Sequence, residues 1–204
     1  ILELLDSMGV EKLHVVGHDF GGPVAAALYS RIPDRFLSLT VASANVFTDT
    51  PVPFPLSGVL PPVFGAFWSR ILFSRPMFRM MVKKGLGKRY GGQITQEKFL
   101  GDRDQTAAIR IIFTTALREM EERYSPVFEA LQRINVPAQV IWGSADMFFP
   151  AEQGRRTAEL MGNVPFRLID GAGHFLPEEC PREVADTVRT AVLSAEKEHI
   201  EGEK

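Results

Sequence analysis

Three short segments carry residue types that could work as a nucleophile, an acid and a histidine. The first is Gly17-His18-Asp19-Phe20-Gly21-Gly22, between the apolar run Lys12 to Gly17 and a segment of helical spacing, Gly22 to Arg31. It fits the strand-to-helix elbow G-x-nucleophile-x-G, with aspartate at the centre. Such a turn lifts the central side chain above a sheet and aims the partly positive start of the next helix at it. Side chains two positions either side of the nucleophile are expected to collide with neighbouring backbone, hence the glycines. The second segment, Trp142-Gly143-Ser144-Ala145-Asp146, ends a run containing Val140 and Ile141; the third, Gly171-Ala172-Gly173-His174-Phe175, follows Phe166 to Ile169. Taken singly, the aspartates read as helix caps and the histidine as a loop residue. Taken together they stand in the chain order this elbow requires, each past the carboxyl end of a predicted strand, where open α/β sheets gather catalytic groups. Asp19, Asp146 and His174 are therefore the candidate catalytic set.

Aspartate in the elbow narrows the chemistry. A serine that attacked a saturated carbon would be left as an ether and lost after one turnover. A carboxylate is already ionised at neutral pH and forms an alkyl ester, whose carbonyl water can open. His174 would act as general base on that water, with Asp146 orienting the imidazole. The expectation is displacement at a saturated carbon, as in an epoxide or an alkyl halide. Water is the only other reactant, so no cofactor is expected, and no His/Cys/Asp spacing suggests a metal site.

A sheet has to hold these groups, and the chain has the pattern for one. Strands at Lys12 to Gly17, Phe36 to Ala44, Pro137 to Gly143 and Pro165 to Asp170 alternate with helices at Gly22 to Arg31, Ala151 to Met161 and Pro181 to Leu193. That alternation predicts an α/β fold with parallel strands joined by crossovers. Ile1 to Leu5 reads as the middle of an amphipathic helix that stops at Gly9, and Glu196 to Lys204 as a frayed tail. From Val46 to Leu131 the alternation lapses into a proline-rich stretch, Phe-, Met- and Arg-rich segments, a glycine-rich turn at Gly85 to Gly92 and one long helix from Gln105 to Tyr124. The expected architecture is an α/β core over residues 1–47 and 132–204, with a helical cap over 48–131.

Composition limits the partners. At 204 residues and 45% hydrophobic the chain can bury such a core. A net charge of −2, with signs mixed, offers no basic stripe for nucleic acid. Prolines 53, 55, 61 and 62 interrupt the most apolar stretch, and no run reaches the roughly 18 residues a span needs, so no membrane partner is expected. The one cysteine, Cys180, excludes an internal disulfide and fits a reducing, cytoplasmic compartment. The oligomeric state is left open.

The three motifs resemble those of the α/β-hydrolases, and within them the epoxide hydrolases and haloalkane dehalogenases, which carry G-H-D-x-G-G, W-G-x-x-D and G-x-G-H-[FW]-x-x-E-x-P. This chain has Gly17 to Gly22, Trp142 to Asp146, and Gly171 to Pro181 with Glu178 and Glu179 after the histidine. The resemblance covers residues 1–47 and 132–204, and the middle only as the cap this family inserts. It implies that the backbone N–H of Phe20 forms half of an oxyanion hole. It also implies that cap residues assist the leaving group. For an epoxide the family uses two cap tyrosines; the matching segment, Thr115-Ala116-Leu117-Arg118, has leucine instead, and Tyr90 and Tyr124 are the candidates. A halide needs N–H donors; Phe20 stands where dehalogenases place tryptophan, which leaves Trp68. His18, beside the nucleophile, is a further candidate substrate contact.

The Phe- and Met-rich cap suggests a small hydrophobic substrate. Epoxide hydrolysis leads, haloalkane dehalogenation is the alternative, and a non-catalytic binding relative is the rival from another class. The intact catalytic set speaks against that rival. Family members also carry strands and a His-Gly-x-Pro loop ahead of the opening helix, with the second oxyanion donor on that loop. Residues 1–204 alone are therefore expected to be poorly soluble or inactive.

Overall fold

The computed structural model describes residues 1–52, 54–89 and 103–202. Four strands, β1 (Leu13–His18), β2 (Phe36–Ala42), β3 (Ala138–Gly143) and β4 (Phe166–Ile169), form one parallel sheet in the order β1-β2-β3-β4. Every pairing is parallel: His18 lies opposite Ala42, Ala42 opposite Ile141, and Gly143 opposite Ile169. The carboxyl ends of the strands thus lie along one edge of the sheet. Parallel strands need crossovers, and the crossovers cover both faces with helices. The two central strands, β2 and β3, are buried along almost their whole length, the polar Ser38, Thr40 and Gln139 included.

The alternating pleat divides the core in two. Leu39, Val41, Val140 and Trp142 face a large cluster shared with helices α2 (Gly21–Tyr29), α6 (Met120–Gln132) and α7 (Ala151–Leu160). Ala42, Ile141 and Ile169 face the other way, against Leu176 of the short α8 (Leu176–Glu179), Cys180, and Val184 of α9 (Pro181–Gly202). Gln139 pins that second layer: its amide donates to Thr40 Oγ1 at 3.0 Å and to the Thr187 carbonyl of α9 at 2.8 Å. The first helix, α1 (Leu2–Ser7), ends at Gly9, whose φ of +65° is the left-handed conformation expected of a terminating glycine.

Between β2 and β3 lie α3 (Pro62–Leu72), α4 (Arg75–Gly85), α5 (Arg103–Arg118) and α6. They have their own small core, Val59, Leu72, Phe73 and Met81, flanked by Ile109 and Phe113. The helix expected from Gln105 to Tyr124 is two helices, broken at Glu119 (φ −109°, ψ 25°). The break redirects α6, so that Val127, Ala130 and Leu131 join the main core rather than the insertion's own. The tail expected to fray continues as helix to Gly202. No proline or glycine interrupts residues 182–201, and the start of α9 is anchored on the sheet.

Candidate active site

Each expected catalytic residue follows the carboxyl end of a strand, and the structure brings all three together. Asp19 sits on the turn from β1 to α2 with a φ of 52°, a conformation that non-glycine residues rarely hold and that costs on the order of 1–3 kcal/mol. Two backbone bonds fix it: Asp19 N–H donates to the Ala42 carbonyl at 3.2 Å, and Gly22 N–H to the Asp19 carbonyl at 3.0 Å. A Cβ at Gly17 would lie 2.4 Å from the Gly21 carbonyl oxygen, so that glycine is compulsory. At Gly21 the same addition meets nothing within 4 Å, contrary to the expectation that both flanking glycines are sterically required. The second tight position is Gly22, where a Cβ would lie 2.4 Å from Ala44 Cβ because α2 rests on the residues leaving β2. The N–H of Phe20, the expected oxyanion donor, makes no hydrogen bond to another described residue, while its ring meets Phe113 edge-on at 5.0 Å.

Asp146 is consumed by its loop and by the histidine. One carboxylate oxygen accepts the N–H groups of Phe148 (2.9 Å) and Phe149 (3.0 Å); the other lies 3.0 Å from His174 Nδ1. Since an ionised carboxylate only accepts, Nδ1 carries a proton and Nε2 faces Asp19 at 3.8 Å, an ion-pair distance just beyond hydrogen-bond length. The imidazole is enclosed by the rings of Phe148, Phe149 and Phe175, with centroids 5.0, 5.5 and 5.2 Å away. This burial, the largest single influence on its pKa, disfavours the charged form. Asp146, followed by Asp19, overcomes it, and His174 is raised to about 9.

Two groups that sequence reasoning did not assign a positioning role hold the histidine loop. Glu179, buried, accepts the N–H groups of Gly87 and Gly173 on one oxygen (2.7 and 2.9 Å) and that of Phe175 on the other (3.0 Å). His174 N–H donates to the Gly85 carbonyl at 2.7 Å, so the end of α4 grips the loop from outside. The signal available was the Glu of the G-x-G-H-F-x-x-E motif and the Gly85–Gly87 turn; only folding shows that they meet. His18, expected to contact substrate, instead turns to this loop. Its Nε2 lies 2.7 Å from the His174 carbonyl, which can only accept, so Nε2 bears the proton. Burial, then the neighbouring His174, lowers its pKa and keeps it neutral.

A cavity of about 340 Å³ opens over the set, lined by Asp19, Phe20, His174 and Tyr124 and roofed by apolar side chains including Phe113 and Leu117. Tyr124 therefore reaches the site as expected. Its hydroxyl bonds to no other described residue, and burial, followed by the charge of Asp19, pushes the phenol up to about 12. Asn45, which no sequence signal marked, also lines the cavity; its side chain bonds Phe47 at both backbone N–H and carbonyl (3.1 Å each). Trp68 does not line the cavity: its indole N–H donates to the Pro55 carbonyl at 2.9 Å. Tyr90 lies outside the described residues.

A model of the alpha/beta hydrolase family matches residues 1–187. The chain belongs to the alpha/beta hydrolase family. Among the relatives, a soluble epoxide hydrolase of Corynebacterium sp. is 25% identical over 203 residues, covering 92% of this chain and 69% of the relative. A 2-hydroxy-6-oxononadienedioate/2-hydroxy-6-oxononatrienedioate hydrolase of Paraburkholderia phymatum is 27% identical over 177 residues, covering 84% of this chain and 59% of the relative. Among solved structures, a putative lipase of Acinetobacter baumannii superposes with a TM-score of 0.74 at 17% identity, covering 97% of this chain and 66% of that chain. The chain thus spans about three-fifths to two-thirds of the length of these relatives.

Two measurements check this geometry. In urea unfolding, Gly22→Ala is expected to cost about 1–3 kcal/mol by overpacking against Ala44, and Gly21→Ala less than about 0.5 kcal/mol. In NMR titration, His174 is expected to lose its proton near pH 9 and to titrate lower in Asp19→Asn, which keeps Asp146 but removes the second charge. By linkage, the stability this raised pKa contributes is complete below about pH 6.5 and is lost as pH rises through about 9.

Proposed function

We propose that the protein hydrolyses epoxides on apolar molecules through an alkyl ester of Asp19. The observation that carries this reading is the placing of a carboxylate and a tyrosine hydroxyl with no hydrogen bond to another described residue, Asp19 and Tyr124, on the wall of one apolar cavity. Asp19 attacks an epoxide carbon; the ring C–O bond breaks, and its electron pair leaves on oxygen, which takes the Tyr124 proton. The phenol's own resistance to ionisation falls at that moment, because the Asp19 charge opposing it disappears into the ester.

The same loss of charge resets the histidine. Asp19 helps to keep His174 protonated in the free protein; once esterified it no longer does, and burial favours the neutral base. The proton His174 sheds replaces the one Tyr124 gave. His174 then takes a proton from water, whose oxygen attacks the ester carbonyl, with the developing oxyanion beside the Phe20 N–H. Collapse expels the diol oxygen, which carries off that proton; the carboxylic acid left on Asp19 gives its remaining proton to His174, and the carboxylate and the charged imidazole are both restored.

A halide leaving group is less well served. Phe20 has no side-chain N–H, and the Trp68 N–H is already given to Pro55. The epoxide hydrolase among the relatives supports the same choice.

His174→Gln is expected to stop the second half-reaction and leave the first, so that styrene oxide leaves an adduct of its own mass on the peptide containing Asp19, read by mass spectrometry. Adding Tyr124→Phe is expected to slow adduct formation by about 10² or more. Absence of any adduct on Asp19 would exclude the mechanism.

A further inference from the structure

One helix of the insertion is turned apolar side out. Along α3 the exposed positions Val63, Ala66, Phe67 and Arg70 recur at the spacing of a single face, while Gly65, Ser69 and Leu72 are buried. Val63 is 88% exposed, Phe64 54% and Phe67 63%. Phe54, 72% exposed, lies 5.5 Å from Trp68, and Trp68 stacks on Phe64 at 5.9 Å and 14°. The outer surface of the insertion therefore carries a connected plate of aromatic rings, an arrangement that marks an interaction surface rather than ordinary solvent-facing helix.

Charge identifies what it meets. Residues 50–96 hold seven Lys and Arg and no Asp or Glu, in a protein whose net charge is −2. Arg70 is exposed on the apolar face of α3 itself, and Lys83 and Lys84 are exposed at the end of α4, which is joined to α3 by two intervening residues. The plate also adjoins the cavity. Val52 and Leu56 line the cavity wall, Phe54 between them stands outside, and a Cβ at Gly58 would lie 2.5 Å from the Trp68 indole. One loop thus has the cavity on one side and the aromatic plate on the other.

We propose that this face docks on the surface of an anionic lipid bilayer, with Phe64 and Phe67 seated at the acyl boundary and the bases against lipid phosphates. Aromatic and aliphatic side chains on one face with Lys and Arg beside them are the make-up of a segment that lies in a membrane interface. Spanning is not involved: no helix among the described residues is long and apolar enough to cross a membrane. A second copy of the chain would bring like charges face to face, which disfavours a symmetric dimer through this patch. Docked in this way, the enzyme draws apolar substrate from the lipid into the cavity. The docking rests on the exposed face alone, not on the chemistry of Asp19.

Sedimentation with phosphatidylcholine vesicles, with and without 30% phosphatidylglycerol, tests it. Binding is expected only to the anionic vesicles and to weaken with added salt. Lys83→Ala with Lys84→Ala is expected to weaken it about 25-fold, near fivefold per charge, and Phe64→Ser with Phe67→Ser to abolish it. Trp68 provides an independent readout, because the other tryptophan, Trp142, is fully buried in the core. Brominated acyl chains are expected to quench Trp68 in the wild type and not in the Phe64→Ser/Phe67→Ser variant. Failure to sediment with anionic vesicles overturns the proposal. So does equal sedimentation of the double serine variant, or a dimer that this variant disperses without any vesicle binding.

Discussion

A histidine ring shut inside a cluster of phenylalanines can carry a positive charge only if carboxylates stand close on both of its nitrogens, and much of this molecule is arranged to put them there. Asp146 lies at 3.0 Å from one nitrogen and Asp19 at 3.8 Å from the other. Each carboxylate is held in place at some structural expense. Asp19 occupies a left-handed turn that only close backbone contacts maintain, and Asp146 accepts two loop N–H groups as well as the imidazole. Glu179 adds a third carboxylate, buried as Asp146 is, and spent on ordering the loop that presents the histidine. Buried charges are tolerable when paired in this way and costly otherwise. The site is consequently coupled: a change in charge at Asp19 is felt at His174 and at Tyr124 together.

Under the proposed mechanism, that coupling gives a physical reason for aspartate in the elbow beyond the stability of the ester. A serine would be neutral before and after attack. In the proposed mechanism aspartate is charged before attack and neutral after it, so the nucleophile itself would tell the base when to become a base. Burial then works in favour of the second step, having worked against the charged histidine before the first.

The sheet and the gathering of Asp19, Asp146 and His174 at the ends of its strands were legible in the sequence because both are local signals. Strand runs, the glycines of the elbow and the residues after each strand end lie within a few positions of one another, and the four observed strands start and stop within two residues of those expected. What was not legible depends on distant segments meeting. The sequence contains Glu179 and Gly85–Gly87 but not their contact across 92 residues. His18 looked like a substrate contact because it neighbours Asp19 in sequence; folding gives its N–H to a carbonyl 156 residues away. Trp68 failed as a donor for the same reason, being claimed by Pro55 inside the insertion. The break at Glu119 follows from α6 having to serve two cores, which no periodicity within residues 105–132 announces.

The central claim is that the oxygen delivered to the substrate comes first from Asp19 and only later from water. A single turnover of excess protein on an apolar epoxide in water enriched in the heavy oxygen isotope measures this directly. The account predicts that the first diol released carries ordinary oxygen, while the peptide containing Asp19 gains the label. Heavy oxygen in the diol of the first turnover, with Asp19 unlabelled, would mean that water attacks the epoxide itself and would contradict the account.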